Sequence, residues 1–281
     1  MWQDYYLFKE ENNLFYSVDM LTLEFSYSPD LYDFLQSLLS RYHDNYDCEY
    51  FQSLKVYSFR HLFKFTFYSN DIFSHKSVII IKFDFNHQKI GQIEFNPNKV
   101  MVNSFFIDFF RSVRVHLDSL TFKKCDFALD IPLQRQLVIL KKDQRKYTRI
   151  EYAGALTEYL GQRNKNNHVK LYDKQKESDL PHPLTRLEVT FEADNILKFP
   201  EVYIRQNLEL VEELSNKDSV FVSALLSLDN PLVYVRRIKN YNTRKRFEDL
   251  ILNHMVHISI NEEIFYELLI ELQKELIFSL G

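Results

Sequence analysis

Cysteine is scarce: Cys48 and Cys125 are the only two in 281 residues, too few for a disulfide framework. Four glycines and seven prolines exclude collagen-like and linker-dominated chains. No run approaches the ~18–20 uninterrupted apolar residues that a membrane span needs. Even the most apolar tail, Ile264 to Leu280, is broken by Glu267, Glu271, Lys274 and Glu275. A leader of basic stretch, apolar core and small-residue cleavage site is missing as well, so the chain reads as soluble and cytoplasmic, with no membrane partner. No P-loop, Gly-x-Gly-x-x-Gly, Cys-x-x-Cys, His-Glu-x-x-His or Gly-x-Ser-x-Gly occurs, which argues against P-loop nucleotide hydrolysis, Rossmann redox chemistry and structural zinc. His254 and His257 stand three apart on a predicted helix without a third ligand beside them.

What is present is ordinary globular usage, 46% hydrophobic and 26% charged, which excludes wholesale disorder. The aromatic excess, 25 Phe and 18 Tyr, fits an A/T-rich coding sequence. From Ser17 to about Glu192, β-branched and aromatic runs predict strands at Val18 to Tyr27, Val56 to Tyr68, Val78 to Phe85, Ile90 to Phe95, Phe122 to Ile131, Gln136 to Lys141, Tyr147 to Tyr152, His168 to Tyr172 and Thr185 to Phe191. Ser28-Pro29-Asp30 is a helix-start signal for Leu31, Phe34, Leu35, Leu38 and Leu39, and a second helix is predicted from Asn103 to Leu117. Beyond Lys198 the periodicity turns helical, over Glu201 to Leu214, Asp218 to Leu228, Thr243 to Met255 and Asn261 to Leu280. The expected fold is α+β: a curved, antiparallel-rich β-sheet with flanking helices over residues 1–198, then a helical C-terminal region over 199–281.

Three features carry chemistry. Asp126 and Asp130 share one face of a predicted strand, where two carboxylates repel unless solvent or a hard cation such as Mg²⁺ or Mn²⁺ compensates. Glu188, on the alternating strand that also carries Arg186, would complete a carboxylate cluster if the two strands pair. From Lys141 to Lys176 there are ten Lys/Arg against four Asp/Glu, a local +6 in a chain whose total is −4. This suits either a phosphate-binding face or a solvated hairpin. A second basic stretch, Pro231 to Phe247, interleaves Arg236, Arg237, Lys239, Arg244, Lys245 and Arg246 with Tyr234 and Tyr241 and holds no acid; it reads as a strand-binding element or as a solvated connector.

The order of an Asp126-x-Ala128-x-Asp130 strand, a Tyr159-Leu160-Gly161-x-Arg163 turn, Leu171-Tyr172-Asp173-Lys174-x-x-Glu177 and Thr185-Arg186-Leu187-Glu188 resembles the Rep_trans-type replication initiation factors. These are rolling-circle plasmid initiators, related to relaxases of integrative conjugative elements. Tyr16 to Phe25 is similar to that family's opening strand, and the resemblance spans about residues 17–192. It implies a nicking and joining domain over 1–198, with Tyr159 as nucleophile and Glu177 as acidic helper. Asp126, Asp130 and Glu188 would be ligands of a divalent cation, Mg²⁺ or Mn²⁺, and Arg163, Lys165, Lys170, Lys174 and Arg186 phosphate contacts. The helical region would be a DNA-binding or accessory element, using Arg236, Arg237, Arg244, Lys245 and Arg246. The sequence departs from the family where Gln162 and Lys165 replace serines and where Cys125 replaces an arginine. Tyr147, Tyr152 and Tyr172 remain rivals of Tyr159. Expected partners are plasmid or phage origin DNA and a host helicase. The apolar stripe Ile264, Phe265, Leu268, Leu269 and Leu272 suits either a homodimer or a core. A conjugative relaxase, or an origin-binding protein without catalysis, would fit the same residues.

Overall fold

Alternating apolar and polar residues need a partner layer for one face only, and in this chain that demand is met by one open antiparallel sheet. The computed structural model describes residues 8–42, 47–52, 59–68, 76–85, 88–100, 104–205, 216–228 and 230–278. The chain runs β1 (Phe8–Glu11), β2 (Leu14–Tyr27), α1 (Leu31–Tyr42), β3 (Asp47–Gln52), β4 (Phe59–Tyr68), β5 (Lys76–Phe85), β6 (Gln88–Phe95), α2 (Pro97–Val100) and α3 (Ser104–Arg114). It continues through β7 (Leu117–Ile131), β8 (Val138–Leu140), β9 (Tyr147–Tyr152), β10 (Ala155–Leu160), β11 (Val169–Asp173), α4 (Lys174–Glu177), β12 (Thr185–Glu192) and β13 (Val202–Arg205). The remaining elements are α5 (Asn216–Leu226), α6 (Pro231–Val235), α7 (Tyr241–Leu252), β14 (Met255–His257) and α8 (Glu262–Phe278).

Eleven strands form the large sheet in the order β3-β4-β5-β6-β2-β7-β12-β11-β10-β9, with β1 paired to β2. The sheet is not closed, and with its helices it makes the fold α+β. Its covering layer comes from helices whose apolar residues recur at helical spacing. In α3 these are Phe106, Phe109, Phe110 and Val113, and in α8 Phe265, Leu268 and Leu272, all buried in the same core as Tyr16, Phe127 and Leu129. The stripe on α8 is therefore interior and offers no dimer surface. No helix among the described residues is long and apolar enough to cross a membrane.

The region after residue 198 departs from the helical expectation. The segment predicted as helix from Glu201 begins as strand β13, paired with β8 on one side and β14 on the other; residues 206–214 of that prediction lie outside the described residues. Val202, Tyr203 and Ile204 are strand formers, and two waiting partners override any helical periodicity. The helix predicted to Met255 stops at Leu252, so His257 lies on β14. This three-stranded sheet and α5 to α7 enclose a smaller core containing Ile139, Tyr203, Val222, Leu232 and Ile251.

Candidate active site

Sheet register decides which polar side chains meet. Tyr159 on β10 stands opposite Lys170 on β11, Lys170 opposite Glu188 on β12, and Glu188 opposite Ala128 on β7. Asp126 pairs with Thr190 and Asp130 with Arg186. Side chains two apart share a face, so Tyr159, Lys170, Glu188, Thr190 and Asp126 line one wall. They open into a cleft of about 910 Å³, completed by Lys146, Thr148, Ile150, Arg163, Asn164 and His168 among others. The strand β10 itself was not predicted: Ala155 to Leu160 is short and has Glu158 among its inward residues.

Gly161 ends β10 at φ +87°, a left-handed value that favours glycine. Asn164 and Asn167 adopt similar values, which asparagine tolerates better than most residues. The loop is fastened at several points. Gly161 N–H donates to the Lys146 carbonyl (2.9 Å), Asn167 N–H to the Thr190 carbonyl (2.8 Å), and Asn167 Nδ2 to the Ile196 carbonyl (2.9 Å). Arg163 and His168 are thereby held at the cleft, and the His168 ring stacks on Tyr159 with centroids 5.8 Å apart. Burial lowers the imidazole pKa against the opposing pull of Asp126.

The acidic wall differs from the predicted triad. Asp130 is 1% exposed and receives two hydrogen bonds from Arg186, Nε to Oδ1 and Nη2 to Oδ2, each 2.6 Å. Arg186, also 1% exposed, donates further to Asp19 at 3.1 Å. A carboxylate so bound is not available to a cation, and a guanidinium so buried cannot meet a phosphate, so both assignments are corrected. What remains in the cleft is Asp126, which accepts from Thr190 Oγ1 at 2.7 Å, and Glu188, which accepts from Tyr172 at 2.6 Å with Lys170 Nζ at 3.5 Å. Burial raises the pKa of both, and the charge of Asp19 adds to each. No signal in the sequence singles out Asp19. It sits at a register shift of β2 against β7, where a bulge re-aims a side chain, and bulges leave no clear mark in sequence. Among the described residues no three His, Cys, Asp or Glu side chains are grouped closely enough to hold an ion. A hard cation prefers oxygen donors, and of the three carboxylates expected as its ligands Asp126 and Glu188 line the cleft while Asp130 does not.

The tyrosines separate cleanly. Tyr147 donates to buried Glu158, and burial followed by that carboxylate pushes its phenol far up. Tyr172 is pushed up by burial and by Glu188. Tyr152 is 82% exposed on the edge strand β9. Tyr159 lines the cleft, and among the described residues no hydrogen bond engages its hydroxyl. Behind it, on the opposite face of β10, Glu158 binds Arg135, Tyr147 and Asn230, the last at 2.7 Å, and so ties the strand to the start of α6.

The basic residues divide as well. Arg163 and Lys170 line the cleft, joined by Lys146. Lys165 lies on the same loop without lining it, and Lys174 pairs with Glu177 on α4. Glu177 is also absent from the cleft wall: it lies beyond the Thr157–Tyr172 pair, past the far end of β10 from Gly161. In the C-terminal region Arg236, Arg244 and Lys245 line a separate groove. Arg237 and Arg246 lie over the rings of Tyr234 and Phe247.

No family model matches the chain, and no curated protein matches it. A solved rolling circle replication initiator protein from Geobacillus stearothermophilus superposes with a TM-score of 0.38 at 12% identity, covering 64% of this chain and 75% of that one. So loose a likeness leaves function to be read from the cleft.

Proposed function

We propose that the protein nicks and rejoins DNA through Tyr159, as an initiator of rolling-circle replication of a plasmid or phage. The observation that carries this reading is the unengaged Tyr159 hydroxyl in a cleft with Lys146, Arg163 and Lys170 beside it, while the neighbouring phenols of Tyr147 and Tyr172 are spent on carboxylates. A phenol is a weak nucleophile at neutral pH, so the attack depends on cations that stabilise the charge developing at the phosphate.

In the reaction, Tyr159 Oη bonds to the scissile phosphorus as the bond from phosphorus to the 3′ oxygen breaks. The phenol proton leaves to a cleft carboxylate or water, and the departing oxygen takes up a proton. The products are a 5′-phosphotyrosine and a 3′-hydroxyl, so the reverse attack reseals the strand. Arg163, Lys146 and Lys170 hold the phosphate charge, and the cleft floor orients it. Asp126 and Glu188 would hold Mg²⁺ or Mn²⁺, which would polarise the phosphate. Glu177 has no part in this step. A conjugative relaxase would use the same chemistry.

A second reading, an origin-binding protein without catalysis, draws support from the incomplete acidic set. One experiment separates them: supercoiled DNA from the protein's own replicon is incubated with Mg²⁺ or Mn²⁺ and wild-type protein or Tyr159→Phe. Nicked circles and a protease-sensitive covalent adduct, formed by the wild type alone, are the expected result. Binding without a nick under either metal would favour the second reading.

A further inference from the structure

The strongest feature outside the cleft is the start of α7. Its first five residues include Arg244 and Lys245 and no acid. No ion pair within 4 Å engages Arg244, Lys245 or Lys142 among the described residues, and these three line one groove of about 500 Å³ with Arg236, Tyr241, Glu248 and Asp249, so four cations there outnumber two carboxylates. Tyr241 is 62% exposed, with the Arg244 guanidinium 5.4 Å from its ring centre. A net-positive groove beside an exposed ring suits an anion that also presents a flat face. A nucleotide strand is such an anion, and an unpaired one can offer its bases to the ring.

The groove is tied to the Tyr159 cleft by the loop between β8 and β9. Lys142 lines the groove and Lys146 the cleft, so at most ~14 Å separates their Cα atoms, the rise of about four stacked nucleotides. The loop is braced. Arg145 pairs with Asp143 at 2.6 Å and donates to the Asn167 carbonyl at 2.9 Å, while Arg236 donates to the Asp143 carbonyl at 3.2 Å. We infer that the α7 groove binds a single-stranded DNA segment, and that the 141–146 loop carries this strand on into the Tyr159 cleft. The inference rests on the nicking reading for the destination of the strand, not for its binding in the groove.

The test uses the full chain with Tyr159→Phe, so that nothing is cut, titrated with a labelled oligothymidine of about twelve nucleotides and with a duplex of equal length over a salt series. Arg244→Ala combined with Lys245→Ala is expected to reduce the slope of log affinity against log salt by about 1.4, two contacts at about 0.7 each. Its Tm should stay close to the parent's, because both side chains are at the surface and neither makes an ion pair within 4 Å among the described residues. Tyr241→Ala should weaken the single strand at least about fivefold, Tyr241→Phe should restore it, and duplex binding should ignore both. An unchanged slope, or a loss that is equal for duplex and single strand, would overturn the inference. If the groove variants still bind as the parent does while otherwise wild-type protein nicks, the groove fails and the nicking reading stands. If wild-type protein never nicks but strand binding depends on the groove, the nicking reading fails and the groove stands.

Discussion

Strands β4 to β6 fill their buried side with rings and aliphatic chains: Phe63, Phe65, Phe83, Phe95, Ile79 and Ile81 are all at most 2% exposed. Phe63 lies nearly parallel to Phe83, 5.9 Å away. Strands β7, β12 and β10 of the same sheet bury Asp130, Arg186 and Glu158 to the same degree and leave Asp126 and Glu188 facing a cleft. Both halves are interior, yet the buried side of one carries no charge among the described residues and that of the other carries charges that must each find a partner. Buried charge costs more than buried hydrocarbon unless it is paired, and among the described residues of the sheet it is confined to the half around Tyr159.

The contrast is sharpest at Tyr159. Under the nicking reading Tyr159→Phe removes the nucleophile and leaves the sheet intact, so covalent adduct should fall by orders of magnitude while urea unfolding moves by less than about 0.5 kcal/mol. Next come the two kinds of core. Asp130→Ala strands the Arg186 guanidinium and should cost about 3–5 kcal/mol; Phe63→Ala should cost as much by opening a cavity, with nicking per folded molecule unchanged. Equal tolerance of Asp130→Ala and a surface substitution would erase the distinction. Asp126→Asn should have the opposite sign. Its raised pKa means that the folded state holds the proton more tightly, so stability falls as pH rises from the ordinary carboxylate value through the raised one. The Asn variant should lose that slope and gain up to about 1 kcal/mol at neutral pH, with nicking abolished. The smallest effect belongs to the part-exposed Lys82–Glu94 pair, 2.6 Å apart: Lys82→Ala should shift stability by at most about 1 kcal/mol.

The paired strands were legible because period-two alternation survives in sequence, and the Asp126 and Glu188 faces were correctly read from it. The partnership of Asp130 with Arg186 was not, since it depends on the register of two strands about 55 residues apart. Each residue alone reads as an exposed polar position. Strand β13 was missed because its partners, β8 and β14, come from distant parts of the chain. Lys146 could have been found: it belongs to the basic run, but its place at the cleft depends on Gly161 N–H reaching its carbonyl.

The packing of α8 bears on how the molecule is made. Phe265 sits 5.1 Å from the Tyr16 ring and 4.8 Å from Phe127, while Lys9 pairs with Glu267 and Glu271. The aromatic face of the central strand is covered only when α8 docks, a closure that joins Tyr16 to Asn261 across 245 residues. Until then Tyr16 and Phe127 are bare on a nascent chain, a state that invites chaperones or aggregation. So distant a closure also predicts slow folding, and expression should respond to translation rate and to truncation of α8 more than to changes at the cleft.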